Sequence, residues 1–121
     1  MAPAEWLRLA EEVRRWRPRI TVTGGEPTVY RGCLEVLAGI KARGLYLSLN
    51  TNGLVLADLA GELVRIGLDD ISVSLDGMSQ THDAVRGKPG AFARTLAGIE
   101  ALLRARESRP WPIVRVTTVL Q

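Results

Sequence analysis

Cysteine is almost absent from this sequence, with Cys33 the only one. No intramolecular disulfide can form, and no cysteine-based metal site can be completed from these residues. Histidine is equally scarce: His82 stands alone. Aromatic residues make up 5% and are scattered, which argues against the clustered basic and stacking groups of a nucleic-acid surface. No uninterrupted apolar run approaches the length of a membrane span. The opening Met1-Ala2-Pro3-Ala4-Glu5 passes straight into a charged amphipathic segment, unlike a signal peptide. A cytoplasmic protein with neither nucleic acid nor membrane as partner is expected.

What is present suffices for one domain with a core: 121 residues, 46% of them hydrophobic. That length is about half of a (β/α) barrel, for which roughly 250 residues is usual. The net charge of +3 comes mainly from arginine, as solvated basic helix faces would give.

Strand and helix patterns alternate along the chain. Trp6, Leu9, Ala10 and Val13 recur at helical spacing, with Pro3 near the start and Pro18 ending the run. Ile20 to Thr23 reads as a strand, followed by a helix through Leu34, Leu37 and Ile40 that Gly44 closes. Leu45 to Leu49 is the next strand, and Leu59, Ala60, Leu63 and Val64 mark a helix ending at Gly67. Ile71 to Leu75 is again a strand, then Phe92, Leu96, Ile99 and Leu103 form one face of a long helix. Ile113 to Leu120 is the last strand. Repeated alternation with apolar strands predicts an α/β fold, parallel pairing and right-handed helical crossovers. An open doubly wound sheet and an arc of a (β/α) barrel both satisfy it. The first helix has no strand before it and the last strand nothing after it, so further material is expected on each side. Unpaired edge amides and open apolar interior faces then predict poor stability for the chain alone.

Ligands of parallel α/β folds bind at the carboxyl ends of strands. The segments there are Gly24-Gly25-Glu26-Pro27, Asn50-Thr51-Asn52-Gly53 and Asp76-Gly77, and they are expected to converge on one rim. Two glycines permit a sharp turn and close approach of a ligand to backbone, and Pro27 suits the first turn of a helix. Such turns often cradle anions, but Glu26 in the mouth would repel a phosphate. It suits a cation or amino group, or it simply complements the helix dipole. Ser72 and Ser74 share one strand face, with Val73 and Leu75 on the other. They are either ligand-bonding hydroxyls or small core fillers. His82 is expected to be an exposed residue at a helix start with no catalytic role. Arg86 beside Gly87 is the better candidate, as a clamp for a carboxylate.

Taken together, Ile20 to Pro27 with its GGEP sequence, Asn50-Thr51-Asn52-Gly53, Val73-Ser74-Leu75-Asp76-Gly77 and the run from His82-Asp83 to Arg86-Gly87 resemble the radical S-adenosylmethionine superfamily. The likeness is nearest to the branch that modifies peptides or builds cofactors. It implies a partial TIM-type barrel over 1–121. It also implies reductive cleavage of S-adenosylmethionine by a [4Fe-4S] cluster, giving a 5′-deoxyadenosyl radical that abstracts hydrogen. By that resemblance Gly24, Gly25 and Glu26, with Pro27, hold the amino group of the methionine moiety. Ser74 bonds its carboxylate or ribose region and Arg86 pairs with the carboxylate. Asn52 and Asp76 line the pocket, with Thr117 or Val119 against the adenine. The family's CxxxCxxC cluster motif lies upstream of GGEP, and Cys33, downstream of it, cannot replace those cysteines. The expected substrate is a peptide or cofactor precursor. The chain alone is expected to be inactive: either part of an enzyme whose N-terminal portion lies elsewhere, even on a separate polypeptide, or a cluster-free remnant that binds cofactor or a partner. An unrelated phosphate-binding domain fits less well, since no GxGxxG or Walker loop is present.

Overall fold

Leucine and β-branched residues at alternate positions decide how the strands stack. In the computed structural model, which describes residues 1–120, they form β1 (Arg19–Val22), β2 (Tyr46–Thr51), β3 (Asp70–Ser74) and β4 (Ile113–Thr117). All pairings are parallel and the sheet order is β1-β2-β3-β4. Register aligns Ile20 with Leu47, Val22 with Leu49, Leu49 with Ile71 and Ile71 with Val114. Side chains of aligned residues share a face, so one side of the sheet is apolar apart from Thr51. The helices α1 (Pro3–Val13), α2 (Cys33–Ala42), α3 (Leu56–Ile66) and α5 (Ala91–Arg106) contribute to a single core against that side. Leu37, Leu56, Leu63 and Leu102 are fully buried there with Leu47, Leu49, Ile71 and Val73, each worth about 1.5–3 kcal/mol of transfer free energy.

A consecutive strand order with one helical layer is an arc of a (β/α) barrel. A doubly wound sheet would reverse its order and carry helices on both faces. The other side of the sheet differs from the expectation of an open apolar interior. It carries Thr21, Ser48, Asp70 and, at the β4 edge, Ile113 in one row, Asn50, Ser72 and Arg115 in the next, then Ser74 and Thr117. Asp70 Oδ1 accepts Arg115 Nε and Nη2 at 3.0 and 2.8 Å and Ser48 Oγ at 3.2 Å. The Ser72 and Thr117 hydroxyls bond each other. Hydration of this face costs little, which removes one of the two reasons to expect poor stability; the free edge of β1 remains.

Several local expectations shift. The last strand ends at Thr117 instead of Leu120, and β1, β2 and β3 each move by a residue or two. Pro27 opens a short 3₁₀ turn (Pro27–Val29) ahead of α2. Between β3 and α5 lies an additional helix, α4 (Ser79–Arg86), closed by Gly87 at φ 63°. Its polar sequence carries no apolar stripe to announce it. In α5 the buried residues are Ala91, Thr95, Gly98 and Leu102, while Leu96 and Leu103 are exposed. Small residues define the packed face because α5 lies close on α3: a Cβ at Gly98 would stand 2.7 Å from Leu56 Cβ. Among the described residues no helix is long and apolar enough to cross a membrane.

Candidate functional site

The loops after β1 and β2 are tied together by one carboxylate. Gly24, at φ 146°, turns the chain out of β1 and brings Glu26 back over the sheet. Glu26 Oε1 accepts from Thr28 N at 3.2 Å, Thr28 Oγ1 at 2.5 Å and Thr51 Oγ1 at 2.7 Å. Its Oε2 accepts from Asn52 N at 2.6 Å. Glu26 thus organises the rim besides presenting charge to it. Asn52 in turn closes its own loop, with Oδ1 accepting from Leu54 N at 2.9 Å and its carbonyl from Thr95 Oγ1 at 3.0 Å. Thr51 joins the site as a partner that no motif points to. Its parity with Leu47 and Leu49, on the helix-facing side, is the signal that its hydroxyl must find an internal partner.

A second cluster forms where β3 ends. Asp76 has a buried side chain whose Oδ2 lies 2.7 Å from Arg86 Nη2 and whose Oδ1 accepts from Val119 N at 3.3 Å. Arg86 is about one-third exposed. His82 is not the exposed residue expected: it is buried to 1% exposure, and its Nδ1 accepts from Asp76 N at 3.0 Å. It lies in the middle of α4 instead of at a helix start, on the face that packs under the end of β3. Ser74, half-buried, stands on the open face one residue beyond the Thr51–Val73 pair, with Thr117 beside it. Val119 lies past β4 and is exposed.

Asp83 anchors the entry to α5. Its Oδ1 accepts from Phe92 N at 2.8 Å and its Oδ2 from Gly90 N at 2.9 Å. These bonds, Phe92 first, hold its carboxyl below the usual carboxylate range. A depressed folded pKa means its contribution is complete above the ordinary value near ~3.9 and vanishes as pH falls through the lower folded value. The melting-temperature gap between wild type and D83N is therefore expected to be constant at neutral pH and to close below about pH 4. A gap that persists into stronger acid would contradict this assignment.

Beside the free edge of β1 runs a groove of about 860 Å³, lined by Trp6, Leu9 and Val13 of α1 and by Ile20, Val22 and Gly24. Cys33 lies at its inner wall; burial, then the charge of Glu26, pushes its thiol up. Among the described residues no group of three histidine, cysteine, aspartate or glutamate side chains could hold a metal ion. These residues do not fit an iron–sulfur cluster, which needs several thiolate ligands.

Comparison with known proteins agrees with this geometry. The profile described as Radical SAM superfamily matches residues 1–119. The chain is 42% identical over 91 residues to the AdoMet-dependent heme synthase of Methanosarcina barkeri, covering 74% of this chain and 26% of that protein. It is 42% identical over 86 residues to a probable GTP 3′,8-cyclase of Saccharolobus islandicus, covering 69% and 28%. With the pre-heme d1 synthase of Dinoroseobacter shibae it shares 33% identity over 106 residues, covering 86% and 26%. The chain thus spans about a quarter of the length of these relatives. Parallel arc, GGEP turn and family match agree, and the chain belongs to the radical SAM superfamily.

Proposed function

We propose that this chain is the part of a radical SAM core that grips the methionine end of S-adenosylmethionine. The observation carrying this reading is the pairing of opposite charges on one rim. Glu26 offers a carboxylate beside Gly24 and Gly25, where backbone carbonyls also accept, and Arg86 offers a partly exposed guanidinium. An amino acid zwitterion needs that combination. Gly24, Gly25 and Glu26, with Pro27 setting the turn, take the ammonium; Arg86, held by Asp76, takes the carboxylate. Ser74 bonds the carboxylate or ribose, Asn52 lines the pocket, and Thr117 is the adenine-side neighbour.

The reductive cleavage that the family performs with a [4Fe-4S] cluster is assigned to the complete protein, and no step of it to these residues. The groove beside β1 supports that division. A right-handed crossover through α1 would start from a strand lying parallel to β1, and such a strand, on the same or a separate polypeptide, would bring the cluster ligands. The substrate we assign is a cofactor precursor, the class to which the relatives named as heme synthase and GTP 3′,8-cyclase point.

Isothermal titration of the chain with S-adenosylmethionine tests the reading. One saturable site with a dissociation constant near ~10⁻⁴ M, about 5.5 kcal/mol, is expected without a cluster. No heat of binding up to millimolar ligand would overturn it.

A further inference from the structure

We infer that His82 is a positioning residue for the cofactor's carboxylate: it fixes the turn at Asp76, and Asp76 in turn presents Arg86 to the rim. The inference rests on the cofactor reading above and adds to it the element that sets the geometry of its cationic half. Nothing in the chemistry of a zwitterion site requires a histidine, so the case stands on what surrounds this one.

The imidazole is buried to 1% exposure. Its Nδ1 accepts the Asp76 amide hydrogen at 3.0 Å, so Nδ1 is unprotonated and the neutral ring carries its proton on Nε2. That Nε2 is buried without any partner. An unpaired buried donor is unfavourable, and a leucine or phenylalanine would fill the space without it. What only the imidazole supplies is the Nδ1 acceptor, and its sole use is the Asp76 amide.

That amide sits where the chain leaves β3. Gly77 follows at φ 145°, and a Cβ there would stand 2.9 Å from Thr81 on α4. The turn is pressed onto the helix. His82 and Arg86 are four residues apart on α4, hence on one face, and both reach Asp76. One holds its backbone; the other pairs with its carboxylate at 2.7 Å. The ring itself is held edge-on by Phe92, with centroids 6.1 Å apart. Asp76 is nearly enclosed while Arg86 is one-third exposed, so the guanidinium is the end of this chain of contacts that meets a ligand. A shift of the Asp76 backbone would swing that charge away from the carboxylate.

The experiment compares affinities of the chain for S-adenosylmethionine and for its decarboxylated analogue, by calorimetry, in wild type, H82L and H82N. Wild type is expected to prefer the carboxylated ligand by about tenfold. H82L removes the acceptor and is expected to reduce that preference to about threefold or less. H82N offers an amide oxygen near the position of Nδ1 and is expected to restore it, whatever either variant does to thermal stability. A merely structural role would lower the affinity for both ligands together and leave the ratio unchanged. Preference retained in H82L, or lost equally in H82N, overturns the inference. Wild type binding both ligands alike overturns it while leaving the cofactor reading intact. Wild type binding neither overturns the cofactor reading itself. If H82L does not fold, long-range ¹H–¹⁵N spectra of the wild-type imidazole still decide, because a proton on Nδ1 contradicts the proposed contact.

Discussion

Replacing Glu26 with glutamine is expected to destabilise the chain by about 2–3 kcal/mol and to abolish cofactor binding. The carboxylate accepts four hydrogen bonds, three at Oε1 and one at Oε2. Two of the donors are hydroxyls, which can rotate and accept instead. The other two, the backbone amides of Thr28 and Asn52, cannot. A glutamine side chain must place its NH₂ group against one of these amides whichever way it is flipped. One N–H then faces another, close to the 2.6 Å now separating Oε2 from Asn52 N. Releasing that contact frees the loop after β2 from the loop after β1, and with it the acceptor surface meant for the ammonium. Chemical denaturation followed by circular dichroism measures the first effect and titration with S-adenosylmethionine the second. If E26Q kept both stability and affinity, Glu26 would be neither rim organiser nor ammonium acceptor.

Gly98→Val is the second large effect, a loss of about 3 kcal/mol that reaches the rim from beneath. A Cβ at position 98 would lie 2.7 Å from Leu56 Cβ and 3.1 Å from the Gly53 carbonyl. Neither obstacle is the end of a flexible side chain. Leu56 is fully buried at the start of α3, and Gly53 closes the Asn50–Gly53 loop. Room for an isopropyl group comes only from moving α5 off α3, which opens the interface containing Thr95, Leu102 and Leu63. Thr95 is also the residue that holds the Asn52 carbonyl. The variant should therefore lower the unfolding midpoint and weaken cofactor binding together, whereas an exposed control such as Gly61→Ala should change neither by much. A wild-type midpoint in G98V would show that the two helices are not packed as described.

Much of this architecture is written in short-range pattern. Alternation at Ile20, Val22, Leu47, Leu49, Ile71 and Val73 gives the strands, and the glycines after β1, β2, β3, α2, α3 and α4 give the turns. The rim follows, because parallel strands must end on the same side and each ends in polar residues. Less was legible where packing overrides pattern. In α5 the apolar stripe through Leu96 and Leu103 suggests one face, yet the buried one runs through Ala91, Thr95 and Gly98. Closeness of approach to α3, set by Leu56, outweighs the hydrophobicity of individual side chains there. In α4 a polar sequence forms a helix because Gly87, Asp83 and the Asp76 turn hold both its ends.

The parallel α/β order, the identity of the rim segments and, through the motifs, the family are legible in the amino-acid sequence. These depend on periodicity and turn chemistry within a few residues, which a linear text records. What the candidate residues touch depends on how the elements pack. Glu26 finds Thr51 and Asn52 across 25 and 26 positions, Arg115 finds Asp70 across 45, and His82 turns inward to a strand end it does not adjoin. Packing also decides that the open side of the sheet is polar. Hydrogen-bond partners and the exposure of a face are properties of elements brought together, and no local rule specifies them.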